Sequence, residues 1–157
     1  MCQTSPETNG VFSPAVFAGS HRRTLDPKKR LTFPSSWRNA IGEGGVIFVL
    51  PDPRGCLMVL TQEEMASKIQ RFKNKALFDS ALNTKLQAIA SNSDQLMFDT
   101  QGRIRISDKL LGYAEIKEEV VLLTGFTTIE IWAAEKAPSS DTVDISEYTS
   151  AVSDLGF

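Results

Sequence analysis

The stretch "LDPKKRLTFP", residues 25–34, packs Lys28, Lys29 and Arg30 into one tight turn between an aspartate and a strand-like run. A second stretch, "FDTQGRIRIS", residues 98–107, repeats the frame, with an Asp and an Arg four places after it, 73 positions downstream. At that offset Leu25 falls on Phe98, Asp26 on Asp99, Arg30 on Arg103, Leu31 on Ile104, Phe33 on Ile106 and Trp37 on Leu110. "IFVL" (47–50) falls on "VVLL" (120–123), and Cys56, Met58 and Val59 fall on Ile129, Ile131 and Trp132. One shared motif is a weak signal. A gapless frame joining two polar anchors to three apolar strands reads as an internal repeat.

Each repeat reads as strand, tight turn, strand, short helix, strand, turn, strand. "LTF" (31–33) and "IRI" (104–106) alternate apolar and polar, as half-buried strands do. Pro34 and Ser35 start a short helix that Gly42 stops, and Ser107 is the expected N-cap of its counterpart "DKLLGYA". "VIFVL" (46–50) and "VVLL" are short apolar runs that suit strands covered on both faces, and "PDPRG" (51–55) and "GFTT" (125–128) are turns. Between the repeats, Thr61 with Glu64 makes a capping-box signature, followed by Met65, Ile69, Phe72 and Ala76 at helical spacing. A second helical pattern covers Ala81, Leu82, Leu86 and Ile89. The expected organisation is a flexible N-terminal tail (1–15), a first repeat (16–61), a helical insert (62–91), a second repeat (92–137) and an acidic C-terminal tail with a weak helix at its end (138–157). The fold class is mainly β with α.

The turn carries the chemistry. An Asp opening a type I turn accepts backbone N–H groups, and Pro27 presets φ at the next position. The fourth turn residue takes positive φ in a hairpin of this length: Gly102 suits it, whereas Lys29 is strained there by about 1 kcal/mol. The Arg at the fifth position lies beside the Asp, which aims its guanidinium while leaving donors free for a phosphate or a guanine edge. Lys28 and Lys29 in the first turn, Arg22 and Arg23 before it, and Arg105 beside Arg103 add positive charge.

The net charge of −2 hides this pattern. Residues 138–157 hold four acids and no base, and residues 1–20 hold one acid. Residues 21–137 therefore carry 17 bases against 14 acids, and residues 21–38 carry six bases against one. Such a local cluster steers polyanions despite a low pI. Enzyme classes find little support. His21 is the single histidine, which excludes His-based triads and multi-His metal sites, and the carboxylates are scattered with no visible pair. No glycine-rich phosphate loop follows a strand, and "GEGG" (42–45) reads as a flexible turn. No catalytic residue, cofactor or metal is expected. Two cysteines, Cys2 in a polar tail and Cys56 in an apolar run, need no disulfide partner, and no apolar run approaches the roughly 20 residues of a membrane span. The expected location is cytoplasmic, with no secretory signal and no membrane partner.

The segments "FAG" (17–19), "LDPKKRLTFPSSWR", "GCLMVL" (55–60), "FDTQGRIRIS" and "TIEIW" (128–132) together resemble the MraZ family of bacterial transcriptional regulators, over residues 16 to about 136. The resemblance implies two tandem swapped-hairpin half-domains similar to those of AbrB and MazE, closed into a ring-shaped homo-oligomer. It implies a nucleoid-associated protein that binds double-stranded DNA at repeated G-rich promoter sites and represses the division and cell-wall gene cluster. The DNA-contacting residues it implies are Arg30 and Arg103, with Lys28, Lys29, Arg22, Arg23, Arg105 and Gln101 around them and Asp26 and Asp99 bracing the turns. Lys29 stands where the family has Gly, and the first 15 residues precede the family's usual start. The alternative reading is an antitoxin-like or scaffold module built for protein–protein contact.

Overall fold

A computed structural model describes residues 15–138 and 142–157, so all but the last residue of the tail expected over 1–15, Cys2 included, lies outside the described residues. The first repeat gives β1 (His21–Thr24), β2 (Arg30–Thr32), α1 (Ser35–Ile41), β3 (Val46–Pro51) and β4 (Leu57–Thr61). The insert gives α2 (Gln62–Gln70), α3 (Lys73–Ala76) and α4 (Ser80–Ser91). The second repeat gives β5 (Asp94–Met97), β6 (Arg103–Arg105), α5 (Asp108–Tyr113), β7 (Glu119–Thr124) and β8 (Ile129–Ala133), and α6 (Ile145–Leu155) follows. No helix among the described residues is long and apolar enough to cross a membrane.

The local signals act as their chemistry requires. Thr61 Oγ1 accepts the Glu64 N–H at 3.1 Å and starts α2. Ser107 Oγ accepts the Leu110 N–H at 3.4 Å at the start of α5, and Gly42 at φ 96° ends α1. The insert is a pair of helices, α2 and α4, with the single turn of α3 between them. The helical spacing of Met65, Ile69, Phe72 and Ala76 does not continue as one helix, because α2 ends at Gln70. Asp79 Oδ1 then caps α4 by accepting the Leu82 N–H at 3.1 Å. At the C-terminus, the stretch read as a tail with a weak helix holds a regular 11-residue helix, α6, capped by Asp144.

Within each repeat only β3 with β4 and β7 with β8 pair as hairpins; the other four strand pairs, β1–β7, β2–β6, β3–β5 and β4–β8, join one repeat to the other. The order across the six-stranded sheet is β1-β7-β8-β4-β3-β5, and a separate two-stranded ladder joins β2 to β6, every pair antiparallel. Exchanging the repeats leaves that order unchanged, so the fold has an internal two-fold axis. Leu31 faces Ile104 on the axis in the ladder, and Met58 faces Glu130 on it in the sheet. The turn after β1 is closed by the Asp26 N–H to Arg30 O hydrogen bond at 3.0 Å, yet its arms then diverge: β1 joins β7 and β2 joins β6. The expected hairpin is thus a hairpin only at its tip. These are two tandem swapped-hairpin half-domains with a helical pair between them, a mainly β fold with α.

The frame holds at 73 residues from β1/β5 through β3/β7 and then slips to 72. Five residues link β3 to β4 and four link β7 to β8. Leu57 therefore corresponds to Ile129 and Val59 to Ile131, all buried, and the gapless alignment of Cys56 with Ile129 is corrected by one position. A slip of one residue reverses the face of every side chain in a strand. The shorter turn restores the parity, so Ile47, Val49, Leu57, Val59, Val120, Leu122, Ile129 and Ile131 all join one core. That core lies between the six-stranded sheet and the ladder, whose inward residues Leu31 and Ile104 are 0% and 2% exposed.

Truncation on the axis removes packing for both halves at once. Leu31→Ala is expected to destabilise the fold by about 2–5 kcal/mol, read as a lower urea midpoint with an unchanged m-value. Its symmetry mate Ile104→Ala should fall in the same range.

Candidate nucleic-acid interface

Because Leu31 and Ile104 point into the core, the period of two turns Arg30, Thr32, Arg103 and Arg105 to the outer face of the ladder. Arg30 stands directly opposite Arg105, and Thr32 opposite Arg103. Facing like charges oppose strand pairing, and three aspartates offset them.

Each turn uses its aspartate in the same way. Asp26 Oδ1 accepts the Lys28 and Arg30 backbone N–H groups at 2.9 and 2.8 Å, and its Oδ2 accepts Arg30 Nε at 2.6 Å. Asp99 Oδ1 accepts the Gln101 and Arg103 N–H groups at 2.9 Å each, and its Oδ2 accepts Arg103 Nε, also at 2.9 Å. Binding through Nε fixes the plane of each guanidinium and leaves both terminal amino groups of Arg30 and Arg103 without a hydrogen bond to a described residue. The Arg103 terminal nitrogen lies 3.9 Å from Asp26 Oδ2, so the two turns meet across the axis. The Arg30 and Arg103 side chains keep 30% and 23% of their surface, braced at the surface rather than buried inside. The backbone N–H of Arg30 is the main cause holding the Asp26 carboxyl below the usual Asp range, and that of Arg103 does the same for Asp99.

The rest of the expected residues divide. Lys28, Lys29 and Gln101 are exposed at the tips. Lys29 adopts φ 61° and Gly102 φ 76°, the positive-φ sites that the turn demands. Lys29 Nζ reaches Asp108 Oδ1 at 3.3 Å, which Arg105 also approaches at 3.0 Å. Arg22 and Arg23 stand apart from the ladder on β1, an edge strand of the larger sheet, and Arg23 donates to the Arg22 carbonyl at 2.9 Å. His21, also on β1, lies with its ring 5.1 Å from Trp37; partial burial, then Arg23, lowers its pKa.

Three features escaped the sequence reading. Asp108 neutralises Lys29 and Arg105 from the first turn of α5; an acid three residues after an Arg at a helix start was the available signal. Arg38 on α1 donates from Nε to the Phe33 carbonyl at 3.1 Å and lies over Gly102, which is buried beneath it. On the sheet face turned away from the ladder, two carboxylates do converge, correcting the expectation of none. Asp52, 4% exposed, takes Arg54 at 2.9 Å through each carboxylate oxygen, and Arg54 reaches Glu130 Oε2 at 2.5 Å. Glu130 Oε1 accepts Trp132 Nε1 at 2.9 Å, and the Asp52 carbonyl accepts the Tyr113 hydroxyl at 2.6 Å. Hydrogen bonding from Arg54 holds Asp52 below its ordinary range, and the two carboxylates share that one guanidinium. Cys56, fully buried beside this network, has its thiol pushed up to about 11 chiefly by burial. Among the described residues no cluster of three His, Cys, Asp or Glu side chains is placed to hold a metal ion.

The family model described as "MraZ protein, putative antitoxin-like" matches residues 89–136, which take in the second turn and its ladder strand. Similarity to curated proteins extends much further. A Clostridium acetobutylicum protein named transcriptional regulator MraZ is 28% identical over 143 residues, covering 90% of this chain and 99% of the relative. One of the same name from Lachnoclostridium phytofermentans is 30% identical over 141 residues, covering 90% and 98%. Another from Mesoplasma florum is 32% identical over 117 residues, covering 74% and 80%.

The depressed carboxyls set a pH window. A folded pKa below the unfolded value means that bracing is fully present above the ordinary Asp range and is lost as pH falls through the folded value. Carboxyl carbon NMR should show Asp26 and Asp99 titrating below the ordinary Asp range. Asp26→Asn should preserve the backbone acceptor yet free Arg30 Nε, seen as faster exchange of that Nε proton. Lys29→Gly relieves the positive φ but adds freedom to the unfolded chain and loses an exposed ion pair. Calorimetry should therefore show a small rise in Tm, no more than about 2–4 °C.

Proposed function

The chain belongs to the MraZ family, and on that premise we propose that it is a transcriptional regulator that binds double-stranded DNA in a sequence-specific way. The observation that carries the reading is the doubled Asp–Arg brace, two aimed guanidinium groups on one outward ladder. In this reading Arg30 and Arg103 enter the major groove and each engages guanine O6 and N7 through its two terminal amino groups, worth about 1–3 kcal/mol of discrimination. Lys28, Lys29, Gln101 and Arg105 hold the adjoining phosphates, and Arg22 and Arg23 add charge from β1. A preference for G-rich sites follows from the arginine pairing.

One ladder spans few base pairs, so tight binding draws on several subunits over repeated sites. A ring-shaped homo-oligomer supplies that avidity, and covering promoter repeats accounts for repression of the division and cell-wall gene cluster. Exposed apolar residues on the insert, including Leu77 and Phe78 at 76% and 92%, support contact between copies. The same residues favour the second reading, an antitoxin-like or scaffold module that contacts other proteins; binding that survives high salt and ignores DNA would select it.

Gel shifts on a duplex of tandem G-rich repeats test the proposal. Arg30→Ala and Arg103→Ala are each expected to weaken binding about 5- to 150-fold and to reduce the preference for guanine. Unchanged affinity and preference in both folded variants would overturn it. Light scattering with and without the duplex reads the copy number of the complex.

A further inference from the structure

The two turns are alike in their braces and unlike at their tips. The internal axis equates Lys29 with Gly102 and Arg38 with Leu111. The first turn therefore has a lysine at its positive-φ site beside a helix, α5, whose matching position is the buried Leu111. The second turn has a glycine there, beside a helix whose matching position is an arginine. The Arg38 guanidinium occupies the space that a side chain on Gly102 would fill, since a Cβ built on Gly102 would overlap its Nε, carbon and terminal nitrogen. One hydrogen-bonded chain holds it there. Arg38 Nε donates to the Phe33 carbonyl at 3.1 Å, and the Phe33 N–H donates to the Gly102 carbonyl at 3.3 Å. The absent lysine of the second turn is replaced in space by an arginine from the other repeat.

We propose that Arg38 is a DNA phosphate-binding residue that supplies the cationic tip of the second turn, a role that rests on the DNA-binding reading above. Its electrostatic setting separates it from the ladder. Arg30, Arg103, Arg105 and Lys29 each have a carboxylate partner within 4.0 Å, whereas Arg38 forms no ion pair with a described residue. Its charge is therefore free for an external anion, while its engaged Nε keeps the two terminal amino groups directed away from Phe33. It borders a polar cleft of about 570 Å³, also lined by Asn39, Glu43, Gly44, Asp99 and Thr100, at the rim of the ladder rather than on the face that offers Arg30 and Arg103 to base edges. A cation at the rim of a groove reader contacts backbone and adds affinity without sequence preference.

Arg38→Gln removes the charge but retains an N–H donor for the Phe33 carbonyl. Gel shifts on the G-rich duplex and on an unrelated duplex, each over a salt series, should show similar weakening on both. The slope of log affinity against log salt should fall by about one. Moving the cation gives the second arm: Arg38→Ala with Gly102→Lys places a lysine where the first turn has one, and the slope should return to the parent value. A folded Arg38→Gln with an unchanged slope, or a folded double variant without recovery, overturns the role of Arg38. The DNA-binding reading survives either result if Arg30→Ala and Arg103→Ala still lose affinity. If those variants also bind like the parent, the reading itself fails and takes the role with it.

Discussion

Strand exchange across the internal axis is the constraint on which the rest depends. The β1–β2 arms of each repeat pair with the other repeat, β1 with β7 and β2 with β6, and β5 returns the exchange by pairing with β3. No repeat completes its own sheet. Exchange also creates the ladder, since only the meeting of β2 with β6 places the two braced arginines on one small surface. The geometry of the arginine-bearing face and the cohesion of the core are consequences of one topological choice.

That choice sets the electrostatic problem the aspartates solve. An antiparallel ladder with arginines on its outer face brings Arg30 opposite Arg105. Asp26 and Asp99 do not simply cancel charge. Each spends one carboxylate oxygen on two backbone N–H groups and the other on a single guanidinium nitrogen. The turn and the arginine are held by the same anion, so backbone order and side-chain aim are coupled. Asp108 acts differently, meeting Lys29 and Arg105 through their outer nitrogens. The ladder thus has a braced centre and a partly neutralised flank, and the acidic composition of the whole chain leaves that local balance intact.

Much of this was legible in the sequence because it was written twice. The repeated Asp and Arg, the alternating strands and the capping residues each carry a local signal, and the non-Gly site at Lys29 follows from turn geometry. Three kinds of information were not local. Which strands pair within the swapped units depends on tertiary closure, and the separated arms of the turn leave no mark in either segment alone. The change of frame from 73 to 72 hides in two turns of different length, where an apolar residue stands at both candidate positions. The Asp52–Arg54–Glu130 network and the seat of Arg38 over Gly102 join residues of no unusual spacing, brought together only when the repeats interlock.

The exchange has a consequence for synthesis on the ribosome. β1 ends at Thr24, and its partner β7 is complete only at Thr124. At translation rates of about 5–20 residues per second, the first strand waits roughly 5–20 s for a mate. Its length is four residues, two of them arginines, and a short charged strand is a poor template for the edges of neighbouring nascent chains. The residues that give β1 its positive charge are thus also suited to keeping an early strand solitary until β7 arrives.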